Sequence, residues 1–394
     1  MSELLESRWV DTKTALLEGL HGNKKSVMAA TLENTRKYLS ESATAGATSA
    51  GNVATLNRVI LPVIRRVMPT VIANELVGVQ PMTGPVGQIH TLRVRYSDTM
   101  DDTSAGNTDT TAGEEALSPF KIAEAYSGDA ATAKAASTAA LEGAAGRKMS
   151  IQILKQTVEA KTRKLSARWT FEAAQDAQSM HGIDVEAEIM AALAQEITAE
   201  IDQEVIGSLV TLSGAAAQTY DQAAVSGTAT FVGDEHAALA VQINRVSNLI
   251  AQRTRRGAGN WAVVSPFALT ILQSATTSAF ARTTEGTFEA PTNTKMVGTL
   301  NNAMKVYVNT YAADSAPVLI GYKGSSESDA AAFYCPYIPL MSSGVVLDPT
   351  SFEPTVSFMT RYGYVELNNT ASSLGNAADY LGNVAITNGN VSFS

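Results

Sequence analysis

Apolar positions fall into three periodicities along the chain. Residues 2–40 have Leu4, Leu5, Trp9, Leu16, Leu17, Leu20, Val27, Met28, Leu32, Tyr38 and Leu39 at helical spacing, with Gly19 and Gly22 splitting the run into two helices. Residues 88–96 alternate, His90, Leu92, Val94 and Tyr96 against Thr91, Arg93 and Arg95, which predicts a half-buried strand with His90 packed inside. Leu165, Ala167, Trp169 and Phe171 alternate with Lys164, Ser166, Arg168 and Thr170, a second strand with one wet face. From Val185, apolar residues recur every four positions through Ile189, Leu193, Ile197, Ile201 and Val205 to Leu209. A step of four advances about 40° past a full turn, so the stripe winds around a helix of roughly 40 Å. Such a helix packs on different partners along its length, as a spine does. Asp184 is its predicted N-cap, with Glu186 and Glu188 in the first turn.

Past the spine, 211–230 reads as a Gly/Ala/Thr loop and 234–256 as a helix ending at Arg253, Arg255, Arg256 and Gly257. A strand at 261–264, a helix from Pro266 and strands near 305–309 and 318–322 predict a compact α/β unit. Pro336, Pro339, Pro349 and Pro354 then forbid helix, and Val356, Phe358, Tyr362 and Tyr364 predict a last long strand. The tail from Asn368 is Asn/Ala/Ser-rich and expected to be loosely held. The fold class is α+β.

Charge sharpens two segments. Only 17% of residues are charged, below the roughly 25% usual for soluble domains, so uncharged surface must be hidden, as a large assembly would do. The net charge of −9 argues against a protein whose main task is gripping nucleic acid. Most of that charge sits in the low-complexity stretch 98–146, where nine acids, among them Asp101, Asp102, Glu114 and Glu115, meet two bases. Residues 147–168 reverse the sign with seven bases, including Lys161, Arg163 and Lys164, against one acid. One reading is a solvated loop beside an exposed strand face. The other is an extended β-arm whose acidic tip meets a basic strip on a neighbouring copy, which would set orientation and register.

Candidate chemistry is sparse. Four scattered histidines and one cysteine, Cys335, predict no zinc site and no internal disulfide, and Cys335 reads as a small buried hydrophobe. No nucleophile elbow, P-loop or dinucleotide fingerprint occurs. Acidic pairs in a low-complexity loop lack the rigid, dry setting a catalytic carboxylate needs, so no enzyme and no cofactor are expected. The arginines at 253–256 suit a helix C-terminus, with phosphate contact as the alternative. The first twenty residues lack the basic-then-apolar shape of a secretory signal, and no run is long enough to span a membrane.

Several stretches together resemble a known family: Gly78-Val79-Gln80-Pro81-Met82-Thr83-Gly84-Pro85-Val86-Gly87, Glu159-Ala160-Lys161-Thr162-Arg163-Lys164-Leu165, Ala174-Gln175-Asp176 leading to His181-Gly182-Ile183-Asp184, Gly321-Tyr322-Lys323-Gly324, Tyr334-Cys335-Pro336-Tyr337 and Thr360-Arg361-Tyr362-Gly363. In this order they are similar to the major capsid proteins of tailed bacteriophages, in the T-even-like myovirus branch. The resemblance implies the tailed-phage and herpesvirus capsid fold and a virion shell protein, assembled in the host bacterial cytoplasm into hexamers, possible pentamers and an icosahedral wall around double-stranded DNA contacted non-specifically.

The implied division is an N-terminal helical segment and candidate propeptide (1–41), an N-arm (42–87), an extended β-arm (88–160), a peripheral domain with the spine helix (161–211), an axial domain (212–342), and a return strand of the peripheral domain with the tail (343–394). Implied partners are scaffold, maturation protease, portal and vertex or decoration proteins. T-even relatives carry an insertion domain in the arm region, for which 98–146 is too short. The family's maturation protease cuts after a hydrophobic-x-Glu pattern; Leu39-Ser40-Glu41 fits it, making Glu41 and Ser42 the candidate cleavage site, while Leu16-Leu17-Glu18 and Leu4-Leu5-Glu6 fit as well. An encapsulin-like protein compartment is the alternative with the same fold.

Overall fold

The computed structural model describes residues 17, 25–34, 71–98, 112–113, 128–129, 134–135, 138–142, 148–181, 184–222, 232–275, 280–282, 295–301, 303–348, 351, 353–367 and 377–387. Of the sequence-predicted sites, Glu41, Ser42, Asp101, Asp102, Glu114 and Glu115 lie outside them. The chain forms two compact units, Met1–Gly87 with Val158–Ser208 and Phe333–Val365, and Gln88–Thr157 with Leu209–Ala332 and Glu366–Ser394. The mixture of helix and sheet is α+β.

In the first unit the spine helix is Val185–Ser213, its last five residues belonging to the second unit. Asp184 caps it: Oδ1 accepts from Glu186 N–H at 3.1 Å and from Ala187 N–H at 3.4 Å. Leu193, Ile197, Ile201 and Val205 of the four-step stripe are buried. This unit's sheet runs Gly78–Val79, Ala332–Ser342, Pro354–Glu366 and Val346–Leu347, with Lys161–Arg168 on the other side of Pro354–Glu366. That last pairing is antiparallel, with Leu165 opposite Phe358 and Lys161 opposite Tyr362. Residues 25–34 are helical, and Val27, Met28 and Leu32 are buried. Asn34 fastens that helix, its Nδ2 donating to Met82 C=O at 2.7 Å and to Tyr337 C=O at 3.1 Å.

The second unit has a seven-stranded sheet in the order Gln218–Asp221, Leu381–Thr387, Val318–Gly321, Trp261–Val264, Met304–Val308, Lys295–Leu300, Phe280–Arg282. Helix Val232–Thr254 supplies Leu239, Ile243, Val246 and Ile250 to the core. Helix Pro266–Ser274 has proline in its first turn, and its N-cap Ser265 Oγ accepts from Ala268 N–H at 3.2 Å.

The compact units cut across the later blocks of the predicted division. Residues 333–342 fall in the first unit, outside the 212–342 block. The segment 343–394 divides: 343–365 stays in the first unit, while Leu381–Thr387 is an interior strand of the second, paired with both Val318–Gly321 and Gln218–Asp221. The expectation of a loosely held tail therefore fails for 377–387. Its Gly and Asn residues hide a strand because Gly382 lies against Val246, where an added Cβ would meet Cγ1 at 2.5 Å, and because Asn383 Nδ2 donates to Ser213 Oγ and Gly214 C=O at 2.8 and 3.0 Å.

Candidate intersubunit surface

The predicted β-arm begins as a hairpin of Val86–Tyr96 and Met149–Glu159. Ser97 N–H donates to Lys148 C=O at one end and Ala160 N–H to Pro85 C=O at the other. Both bonds define the same antiparallel register, so Tyr96, Val94, Leu92 and His90 lie opposite Met149, Ile151, Ile153 and Lys155 on one face. At the root, Gly87 and Gly363 admit Val158, whose methyls lie 3.0 and 2.5 Å from where their Cβ atoms would be. Gly87, Val158 and Gly363 all belong to the first unit, and Val158 is buried there.

The sequence expectation for this hairpin fails at its apolar phase, where His90 and Leu92 are exposed. Leu92 is 64% exposed, Met149 61%, and Ile151 and Ile153 67% each. Val94 and Tyr96 are half-buried, and His90, predicted to be packed, is exposed. The opposite face holds Leu154 and Gln156, both half-buried. Alternation identified the strand, but which phase is buried depends on what covers it, and within this chain nothing described covers the apolar phase. The signal sequence reading passed over was Met149, Ile151 and Ile153, an apolar alternation inside the block noted only for its bases.

The basic strip is not one surface. Along Lys161–Arg168 the even positions face solvent and Arg163, Leu165 and Ala167 face inward. Lys161 and Lys164 are exposed, but Arg163 is spent inside its own subunit. Its guanidinium pairs with Glu200 and, at 2.6 Å, with Glu204; Nε donates to the Tyr362 hydroxyl, which in turn donates to Glu204. Burial raises the Glu204 carboxyl, but the hydrogen bonds from Tyr362 and Arg163 outweigh it and hold Glu204 below its ordinary value. Tyr362 is raised by burial and by its bond to Glu204. The arrangement ties the strand after the arm to the spine helix and to the last long strand. Arg163, singled out as a contact for a neighbour, thus acts within its own subunit as a brace.

Two other singled-out residues are engaged within their own chain, Arg256 at the surface and Cys335 in the core. Arg256 Nη1 pairs with Asp329 Oδ1 at 2.7 Å, and the Tyr380 hydroxyl donates to the same oxygen at 3.2 Å. Cys335 is free and buried, and burial pushes its thiol up to about 11. Among the described residues no group of acids, histidines or cysteine is arranged to hold a metal, and no helix is long and apolar enough to cross a membrane.

The family model described as Major capsid protein Gp23 matches residues 53–386. The major capsid protein of Enterobacteria phage T4 is 30% identical over 424 residues, covering 85% of this chain and 80% of that protein. That of Vibrio phage KVP40 is 29% identical, covering 81% and 77%. Among solved structures, the capsid of the myovirus phage XM1 is 10% identical with a TM-score of 0.45, covering 80% of this chain and 92% of that one, too low a score to add to the assignment. An exposed apolar arm, a braced spine and a match to one family over most of the length agree: the chain belongs to the Gp23 family of phage major capsid proteins.

Proposed function

We propose that this major capsid protein builds the phage head by laying the apolar face of its hairpin on a neighbouring copy. The observation that carries the reading is the exposed row Leu92, Met149, Ile151 and Ile153. Burying each such side chain is worth about 1.5–3 kcal/mol, so a lattice of copies gains from covering it. A heterologous contact of this kind, one patch on a different patch of the next subunit, generates a ring such as a hexamer or pentamer where its rotation closes. The acidic loop, with Asp101, Asp102, Glu114 and Glu115, then sets register against Lys161 and Lys164 on the neighbour, without Arg163. In this reading the first unit is the peripheral domain with its N-arm, the second unit is the axial domain, and hexamers and pentamers are the building blocks.

The protein acts structurally, as a component of the virion assembled in the host cytoplasm. Scaffold, maturation protease, portal and vertex or decoration proteins are its proposed partners, and the acidic balance suits a lining that touches double-stranded DNA without gripping it. Residues 1–41 are the proposed propeptide, cut between Glu41 and Ser42. The encapsulin reading is not favoured, because the family match is to phage shell proteins.

The test is the double substitution Ile151→Lys and Ile153→Lys in the full chain. A folded subunit that no longer forms shells by electron microscopy and sedimentation is the expected result. Normal shells from the folded variant would overturn the docking role of this face.

A further inference from the structure

One carboxyl interrupts the apolar side of the spine helix. Asp202 follows Ile201 and is 1% exposed. Its Oδ1 accepts from Ile72 N–H at 2.9 Å, while Oδ2 is buried without a partner. Val71, Ile72, Ala73, Leu76 and Val77 are all buried, and Ile72 opens the short helix Ala73–Leu76 with no side-chain cap from its own segment. Asp202 is thus the polar fastening between the spine helix and the strip of chain that precedes the arm.

Few groups face it. From strand Ala332–Ser342 comes the fully buried Tyr334, whose phenol is raised by burial first, then by Tyr362 and by the charge of Asp202. From the N-terminal segment comes the Ile72 amide. On the helix itself, Glu204 is turned to Arg163 and Tyr362. Among the described residues no cation pairs with Asp202. A carboxylate so placed either keeps its proton or admits water, and admitting water requires the covering segment to lift.

We propose that Asp202 is a proton-coupled latch, closing residues 71–77 onto the spine helix when protonated and releasing them when it ionises. Burial pushes its carboxyl up to about 7, offset only in part by the Ile72 N–H. In the opened segment it returns to an ordinary aspartate value of about 3.9. The closed form then holds the extra proton between those values. Closure is fully favoured below the lower one, weakens as pH rises towards about 7, and changes no further above it.

Hydrogen exchange read by mass spectrometry on the full chain, corrected for intrinsic rates, tests this. The opening constant for the amides of 72–77 should rise about tenfold per pH unit between about pH 5 and 6.5 and level off above about 7. The amides of Trp261–Val264 should show no such slope. Asp202→Asn should abolish the slope, and Asp202→Ser replaces it should the asparagine variant not fold. A flat wild-type profile at 72–77 overturns the latch whether or not either variant folds, as does a slope that survives the substitution. Neither outcome bears on shell formation, which is read by particle assembly.

Discussion

Leu92 and Ile153 form a cross-strand pair on the hairpin, and about two-thirds of each residue is exposed. They fall at a position without backbone hydrogen bonds between the two residues, where Cα atoms approach to about 4.5 Å. That spacing lies within the range a disulfide accepts. Leu92→Cys with Ile153→Cys is therefore expected to oxidise within one chain, seen as a two-dalton mass loss in the unassembled subunit. The shifted pair Leu92→Cys with Gln152→Cys points to opposite faces and should stay reduced. The native Cys335 is buried and does not compete. An equal yield from both pairs would show the register to be different.

The same pair marks what the sequence could reveal. Alternation located the strand that carries Leu92, and a capping aspartate with a four-residue step located the spine helix from Asp184 onwards, because these signals are local. Which side of the hairpin is covered is not local, since the cover for Leu92 and Ile153 is proposed to come from another molecule. The engagement of Arg163 is non-local for a related reason. Lys161, Arg163 and Lys164 read as one charged strip, but Lys164 lies on the opposite face of the strand, and the acids that claim Arg163 come from 37 and 41 positions further along the chain. Asp202 gave no sequence signal beyond an acid beside the apolar stripe; its burial depends on Ile72, 130 positions away.

The Arg163 brace should be measurable. Tyr362→Phe removes the hydroxyl that links Arg163 to Glu204 and is expected to cost about 1–2 kcal/mol in denaturant unfolding. Lys164→Glu, on the wet face, should change stability by less than about 0.5 kcal/mol. Because Glu204 is held below its ordinary value, its stabilising share is present above that value and is lost as pH falls through the lowered one. Wild type should therefore lose stability on acidification faster than Glu204→Gln.

Gly382 sits where helix Val232–Thr254 presses on the sheet. Gly382→Ala places a methyl against the Val246 side chain and is expected to destabilise the second unit by about 1–3 kcal/mol. Adding Val246→Ala should recover part of the loss, because the clash is with that side chain alone at short range. A neutral Gly382→Ala variant would mean that the strand Leu381–Thr387 is not packed as described.

The helical residues 25–34 set a condition on maturation. Asn34 gives two hydrogen bonds, to Met82 and Tyr337, and Val27, Met28 and Leu32 are buried beside them. Asn34→Ala is expected to cost about 1–2 kcal/mol, since it leaves two carbonyl groups short of a donor. Cleavage after Glu41 would remove the same bonds together with the apolar cover, so the cut chain must either re-dock its arm or gain cover from a neighbour. A chain starting at Ser42 should then unfold at a lower temperature than the full chain as an isolated subunit, but not within a shell. Intact mass of protein from mature particles should give Ser42 as the first residue, and a start at Met1 or Ser2 would remove cleavage from the account. In that case residues 25–34 are a permanent part of the first unit, and Asn34→Ala should lower the stability of the shell as well as of the subunit.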